Sequence, residues 1–192
     1  MLIALSGYAG AGKDSVADVL VAERGFIKYA WANTLRLAAA ALNPVVATKE
    51  DDCVGLRYND VIGEVGYTEA KSRYPEVRAI LQRLGTEVGR DLISDTVWVD
   101  TTIRRIKREH SLSADIVIAD TRFLNEAEAV KNLSSNNLVV RVTRPDVYPE
   151  SNHPSEVDLD DYKFDSHYTN DSSMDGITVA VLNWFDSLKI SS

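Results

Sequence analysis

The 192-residue sequence contains a single cysteine, Cys53, so the chain cannot form an internal disulfide. This composition is typical of proteins kept in a reducing compartment. The sequence also lacks an apolar run approaching the ~20 residues that span a bilayer, and its first residues lack the basic segment of a signal peptide. We therefore expect a cytoplasmic protein with no membrane partner and no chemical role for Cys53.

Basic side chains are scarce relative to acidic ones, with 21 Lys and Arg against 29 Asp and Glu and a net charge of −8. An acidic surface argues against broad binding to nucleic acid, which needs a field of Lys and Arg. A local group of arginines can still bind one small anion. The length suits one domain, and a hydrophobic content of 45% excludes a disordered chain.

Short apolar runs alternate with helical patterns along the chain. The runs predict strands at residues 2–5, 26–30, 116–119 and 138–142. Helical spacing is found between them and again at 177–188, and Asn33 is placed to cap a helix over 34–42. Strands that alternate with helices predict an α/β fold with a parallel sheet covered on both faces.

Two stretches lack a strong pattern. Residues 45–74 are too long for a structureless loop, which predicts a small inserted helical subdomain or a mobile lid. Helical character returns over 76–93. Residues 144–161 are polar and contain prolines.

The segment G-Y-A-G-A-G-K-D-S at residues 7–15 has the spacing of a P-loop, with two glycines five apart followed by lysine. Glycines let backbone N–H groups approach phosphate oxygens, and the following helix directs its positive dipole end at the same anion. Lys13 adds a point charge that can follow the β- and γ-phosphates. The predicted ATP-binding residues here are Gly7, Gly10, Ala11, Gly12, Lys13, Asp14 and Ser15.

The residue after the lysine departs from the usual motif, which has Ser or Thr there. A carboxylate beside a triphosphate is repelled unless a cation lies between them. Asp14 is therefore predicted to hold Mg²⁺, directly or through water, and Ser15 to bind a phosphate oxygen or the metal. The alternative is that Asp14 only caps the helix.

Asp120 follows a buried apolar strand and has the form of a Walker B carboxylate. Ligands of open α/β sheets bind beyond the carboxyl ends of the strands, which predicts that Asp120 lies near the P-loop. It is a candidate ligand of Mg²⁺ or of substrate, together with Asp14 and Ser15.

Five arginines lie at or just beyond predicted regular elements, namely Arg36, Arg90, Arg122, Arg141 and Arg144. Phosphoryl transfer builds negative charge that positioned arginines stabilise, so these are candidate anion clamps. The alternative for each is an ordinary surface arginine.

Several separated blocks resemble the bacteriophage-type deoxynucleoside monophosphate kinases. Besides the P-loop, they are Y-A-W-A-N-T-L-R at 29–36, L-Q-R-L-G-T-E-V-G-R at 81–90 with the Trp98-Val99 pair, I-A-D-T-R-F-L-N-E at 118–126 and H-P-S-E at 153–156. Trp31 and Asn33 depart from the usual Phe and Asp of their block. No block aligns with residues 45–74.

The resemblance implies a P-loop NTPase-type three-layer sandwich with a central, mostly parallel five-stranded sheet. An acceptor-binding helical region would span about 31–93 and a lid about 144–156, in one domain over 1–192. It implies Mg²⁺ as cofactor, ATP and a deoxynucleoside monophosphate (dNMP) as partners, and the host cytoplasm as location if the chain is phage-encoded.

The resemblance also implies residue roles. The implied dNMP-binding residues are Arg36, Gln82, Thr86, Arg90, Trp98, Asp120 and Arg122. Arg141 and Arg144 would close over ATP, with His153 as a loop residue or lid contact. The implied catalytic residues are Lys13, Asp14, Arg122 and Arg144. For Trp98, a place in the core is the alternative to stacking on the base.

Three other functions stay open on the residues alone. A kinase for another small acceptor, such as dephospho-coenzyme A or a phosphorylated isoprenoid precursor, shares the P-loop and sheet. A nucleotide-switched binding module and a DNA-packaging ATPase are the others. The sequence leaves open the accepted bases, the choice between ribose and deoxyribose, and whether the chain forms a homodimer.

Overall fold

The computed structural model describes residues 1–48, 55–110, 114–149, 154–171 and 176–188. Within these residues the chain divides into two compact units. Residues 1–31 and 105–192 belong to what we call the sheet unit, and residues 32–104 form the helical unit. No helix in the described part of the chain is both long and apolar enough to cross a membrane. Cys53 and His153 lie outside the described residues.

The regular elements follow one another from a buried N-terminal strand to an amphipathic C-terminal helix. In chain order they are β1 (Leu2–Ser6), α1 (Lys13–Arg24), β2 (Ile27–Tyr29), α2 (Trp31–Leu42), β3 (Val45–Thr48), β4 (Gly55–Arg57), α3 (Tyr58–Arg73), α4 (Pro75–Arg83), a π-helix (Leu84–Ile93), α5 (Val97–Glu109), β5 (Ile116–Thr121), α6 (Leu124–Leu133), β6 (Leu138–Thr143), α7 (Pro154–Val157), β7 (Ser166–Thr169) and α8 (Ile177–Leu188).

The sheet unit contains a five-stranded sheet with the order β2-β5-β1-β6-β7, and every pair of neighbouring strands is parallel. This confirms the predicted α/β fold with a five-stranded parallel sheet. The four strands located from sequence are all present. The fifth, β7, has the sequence Ser-His-Tyr-Thr, of which only Tyr168 is buried. Its polar composition gave no strand signal, and pairing with β6 defines it.

Helices cover both faces of this sheet. Alternate residues of β1, such as Ile3 and Leu5, belong to a core that α1 and α8 complete. The intervening residue Ala4 is also fully buried, and α6 packs against β1 and β6. Because successive side chains of a strand point to opposite faces, burial of the whole of β1 requires cover on both sides.

The helical unit contains the stretch that was predicted as an inserted helical subdomain or a lid. Its strands β3 and β4 form an antiparallel pair, and helix α3 follows directly. The side chains of Val46, Tyr58 and Val77 share a core with residues of α2 and α4. The stretch therefore combines a short β-ribbon with a helix, and its core packs within the unit.

One predicted helix start is wrong. Asn33 was expected to cap a helix beginning at residue 34, but α2 begins at Trp31. The backbone N–H of Trp31 donates to Asp120 Oδ1 at 2.7 Å, and its indole N–H donates to Thr121 Oγ1 at 3.1 Å. The cap thus comes from a residue ~90 positions away in sequence, which local capping rules do not anticipate.

Candidate active site

The carboxyl ends of β1 and β5 lie side by side in the sheet, with Ser6 paired to Thr121. The glycine-rich loop of residues 7–12 follows β1 directly, and Asp120 is the penultimate residue of β5. Asp120 therefore lies near the P-loop, as predicted, because neighbouring parallel strands end at the same edge of the sheet.

The P-loop passes into α1 at a left-handed glycine. Gly12 has φ 93° and ψ 22°, a conformation that favours glycine, and α1 begins at Lys13. A side chain at this position would also collide with the amide of Asn170. Asn170, the residue after β7, is buried, and its Nδ2 donates to the carbonyl of Ala11 at 3.0 Å, so it supports the loop.

Lys13 lies inside the loop with a side chain that is largely buried. Its Nζ donates to the carbonyl oxygens of Gly7 at 2.6 Å and Tyr8 at 2.9 Å. Burial, together with repulsion from the Arg122 guanidinium, lowers the pKa of Lys13 from 10.5 to about 8, although nearby carboxylates partly oppose this. An ammonium group placed under the loop can bind phosphate oxygens that approach the same backbone.

Arg122 lies directly beyond β5 and is held by a carboxylate from α7. Its Nη1 donates to Glu156 Oε1 at 2.7 Å, and the Glu156 side chain is only 11% exposed. Glu156 Oε2 is buried without a hydrogen-bond partner. Both residues influence the charge of Lys13, Arg122 by repulsion and Glu156 by attraction. The structure therefore brings Lys13, Arg122 and Glu156 into one electrostatic group.

Arg141 is buried in β6, beside the P-loop. Its Nη2 donates to Asp160 Oδ1 at 2.8 Å, and its guanidinium lies 4.5 Å from the centre of the Tyr8 ring. The Tyr8 hydroxyl donates to the same Asp160 oxygen at 2.9 Å. Burial raises the pKa of Tyr8, and this hydrogen bond raises it further. Arg141 thus braces the loop through Tyr8, and contact with ATP stays a prediction for it.

The oxygen groups predicted to hold Mg²⁺ differ in their surroundings. The Asp14 side chain is 81% exposed and forms an ion pair with Lys28 at 2.8 Å. Asp120 accepts the N–H of Trp31, and Ser15 is half-buried in the first turn of α1. Among the described residues no three His, Cys, Asp or Glu side chains group as a metal site. This set fits Mg²⁺, which takes one or two carboxylates and completes its shell with phosphates and water.

Two further predictions concern Asp14 and Arg144. Asp14 was alternatively expected to cap α1, but the N-cap residue is Gly12 and no side chain caps this helix. Arg144 is exposed just beyond β6, at the start of the region predicted as a lid. Its role stays a prediction, as does the lid.

In the helical unit the most distinctive sequence block folds as an uncommon element. Helix α4 passes into a ten-residue π-helix, a geometry that is rare and frequent at functional sites. Gln82 is exposed at the end of α4, Thr86 is exposed on the π-helix, and Arg90 is half-buried in its last turns. These three of the predicted acceptor-binding residues therefore lie along one continuous helical segment.

Trp98 packs against this π-helix. Its indole N–H donates to the carbonyl of Gly85 at 2.8 Å, and its ring lies against Gly89, where a Cβ would come within 2.5 Å of the ring. Trp98 is half-buried, so it packs on the π-helix but does not lie in the core, which was the alternative to base stacking. Stacking on a base stays a prediction for the remaining exposed part of the side chain.

Arg36 projects from α2 and has only neutral partners among the described residues. Its Nη1 donates to Asn33 Oδ1 at 3.3 Å, and its guanidinium carbon lies 3.9 Å from the centre of the Tyr67 ring. No carboxylate among these residues is paired with the guanidinium of Arg36, which suits an anionic ligand.

Comparisons with known proteins give one consistent description. The sequence model of the deoxynucleotide monophosphate kinase family matches residues 68–181, more than half of the chain. The chain is 25% identical, over 97% of each sequence, to a protein of Acanthamoeba polyphaga mimivirus named provisionally as a deoxynucleotide monophosphate kinase. It is 35% identical to the deoxynucleoside-5'-monophosphate kinase of Escherichia phage T5 over 88 residues, which cover 41% of this chain and 33% of that protein.

A solved structure, TT1252 from Thermus thermophilus, aligns with 100% of this chain and 96% of its own at 15% identity and a TM-score of 0.49. Similarity at this level assigns neither fold nor function by itself.

The parallel sheet, the P-loop and the buried Lys13 define a P-loop protein of the α/β class. Within that class the chain belongs to the deoxynucleotide monophosphate kinase family and is a kinase.

Sequence reasoning did not assign roles to Glu156, Asp160, Asn170 or Tyr67. Glu156 could have been selected from the sequence, because this residue lies in the H-P-S-E block that resembles the family. The others give no local signal, since each acts on a residue far away in the sequence or, for Tyr67, in a region that no motif covers.

The contact of Trp98 with Gly89 makes a substitution there costly. Gly89→Ala should lower the free energy of unfolding by about 1–3 kcal/mol, because the added methyl meets a rigid indole ring that cannot move without losing its bond to Gly85. Thermal and urea unfolding would measure it. Gly63→Ala is the matched control, because Gly63 lies in α3 with open space around its Cα, and it should be neutral or slightly stabilising. Equal stability of the two variants would contradict a tight contact between Gly89 and the Trp98 ring.

The lowered pKa of Lys13 predicts a pH dependence. Above pH 8 the ammonium of the free enzyme loses its proton, and with it the attraction for phosphate. The kcat/KM for ATP should fall through this pKa, approaching about tenfold per pH unit, because this ratio reports ionisations of the free enzyme. Lys107→Gln, which removes an exposed lysine, should leave the profile unchanged. A flat profile up to about pH 9.5 would contradict a lowered pKa of Lys13 in the free enzyme.

Proposed function

We propose that this chain transfers the γ-phosphoryl group of ATP to the 5'-phosphate of a deoxynucleoside monophosphate. The products are ADP and the deoxynucleoside diphosphate. The observation that carries the proposal is the buried Lys13 under the P-loop, grouped with Arg122, in a chain of the deoxynucleotide monophosphate kinase family.

ATP binds to the P-loop of the sheet unit in this proposal. Backbone N–H groups of Gly10 and Gly12 and the start of α1 would bind its phosphates, and the ammonium of Lys13 exchanges its loop carbonyls for phosphate oxygens. Mg²⁺, held by Asp14, Ser15 or Asp120 with water and phosphate, would neutralise part of the charge on the β- and γ-phosphates.

The acceptor is bound, in the same proposal, by residues of the helical unit. Gln82 offers both an amide donor and an acceptor, which suits the edge of a base or a sugar hydroxyl. Arg36 and Arg90 provide positive charge for its phosphate.

The chemical step is an in-line displacement at the γ-phosphorus. A bond forms from an oxygen of the acceptor phosphate, and the bond to the oxygen that bridges the β- and γ-phosphates breaks, so ADP leaves with that electron pair. A phosphate oxygen is already ionised at neutral pH, so no general base is required. Lys13 and Arg122 stabilise the charge on the transferred group, and Glu156 holds Arg122 in place through its 2.7 Å ion pair.

A coupled assay of ADP release tests the proposal. ATP·Mg²⁺ would be offered with each dNMP, each ribonucleoside monophosphate and dephospho-coenzyme A. We expect turnover with one or more dNMPs, no activity for Lys13→Ala, and a kcat lowered by about 10³- to 10⁵-fold for Arg122→Ala, as for an arginine that stabilises the transferring phosphoryl group.

Arg24→Ala is the matched control for Arg122→Ala. Arg24 is ion-paired with Asp186 at 2.8 Å at the end of α1, and its loss should leave kcat unchanged. Slow ATP hydrolysis that no acceptor stimulates would reject the kinase reaction. Preferred turnover of dephospho-coenzyme A would assign a different acceptor to the same site.

A further inference from the structure

Helix α3 brings an aromatic ring to the one arginine of α2 that we assign to the acceptor. The guanidinium carbon of Arg36 lies 3.9 Å from the centre of the Tyr67 ring, well inside the ~6 Å limit of a cation–π contact. Lys71, one turn further along α3, has its Nζ 4.9 Å from the same ring. Tyr67 therefore organises two positive charges of the helical unit.

The environment of Arg36 differs from those of Arg122 and Arg141. Arg122 and Arg141 are each paired with a carboxylate, Glu156 and Asp160 respectively. Arg36 contacts an amide oxygen and an aromatic face, and its Nε is buried without a hydrogen-bond partner. Neutral partners fix the position of a guanidinium without cancelling its charge, which is the arrangement that a phosphate dianion requires.

Helix α3 has a break in its backbone directly before Tyr67. The helix is interrupted at Gly66, whose φ of 76° and ψ of 166° lie outside the helical region and favour glycine. Tyr67 begins the second half of the helix directly after this break. Tyr58 is buried in the first half of the helix. Burial raises the pKa of Tyr58, the nearby Tyr67 raises it further, and the positive charge of Arg36 lowers it. Arg36 contacts the second half of α3 through Tyr67.

We propose that Tyr67 is a positioning residue for the acceptor nucleotide, and that α3 builds the subsite for its 5'-phosphate by holding Arg36 against the Tyr67 ring, with Lys71 adding positive charge. This inference rests on the proposed function. It assigns a role to part of the stretch 45–74, for which no sequence motif is found.

The test compares three substitutions on or near α3 with calorimetric titration of a dNMP in the absence of ATP, and with KM for dNMP and for ATP in the coupled assay. Tyr67→Leu removes the ring and should raise the Kd and KM for dNMP roughly 3- to 30-fold, the range expected for a partly desolvated cation–π contact. The KM for ATP should stay within about twofold. Tyr67→Phe retains the ring and should restore wild-type values.

Tyr74→Leu is the matched control. Tyr74 is the residue that follows α3, and its ring also faces an arginine, Arg73, at 5.7 Å, but it makes no contact with Arg36. Its loss should lower thermal stability to a similar extent without raising the KM for dNMP. Equal effects of Tyr67→Leu and Tyr74→Leu on dNMP binding would show that loss of packing alone is responsible, and would overturn the proposal.

A double-mutant cycle shows whether Tyr67 acts through Arg36. If it does, Tyr67→Leu should weaken dNMP binding much less in an Arg36→Gln background, which removes the cation, than in the wild type. Independent effects of the two substitutions would overturn the inference. If the wild type binds and phosphorylates dNMP but Tyr67→Leu changes nothing, the inference alone fails. If the wild type neither binds nor phosphorylates any dNMP, the proposed function fails with it.

Discussion

The candidate active site depends on keeping a positive charge in place under the P-loop. Lys13 is 8% exposed, and taking an ammonium group out of water is unfavourable unless its protons are bound. The Nζ of Lys13 donates hydrogen bonds to two loop carbonyls, of Gly7 and Tyr8, which hold the side chain where phosphate oxygens can replace them. The burial of the lysine, together with repulsion from Arg122, lowers its pKa.

The rest of the sheet unit supports that arrangement from several sides. Asn170 binds Ala11 from the end of β7, and Arg141 braces Tyr8 while paired with Asp160. Arg122 adds a second positive charge and is itself balanced by Glu156. Because charges in a partly buried site interact more strongly than in water, each cation needs a defined partner. The carboxylates prevent the arginines and the lysine from repelling one another out of position.

The helical unit uses unusual helices for a different purpose. A π-helix is stabilised where Trp98 lies against Gly85 and Gly89, and α3 is broken at Gly66 just before Tyr67. Regular helices would place these side chains at other angles. Departures from α-helical geometry that are maintained by specific contacts are often associated with binding sites. Both departures lie beside residues that we assign to the acceptor, Arg90 and Arg36.

The sequence alone determined the α/β class, the P-loop with Lys13 and the position of Asp120 at a strand end, because these depend on local spacing and on the periodicity of apolar residues. The start of α2 at Trp31, the strand β7 and the π-helix were decided by tertiary structure. So were the partners of Arg36, Arg122 and Arg141. The physical reason is that a cap such as Asp120 and a partner such as Glu156 come from distant segments, and only the folded chain brings them within hydrogen-bonding distance.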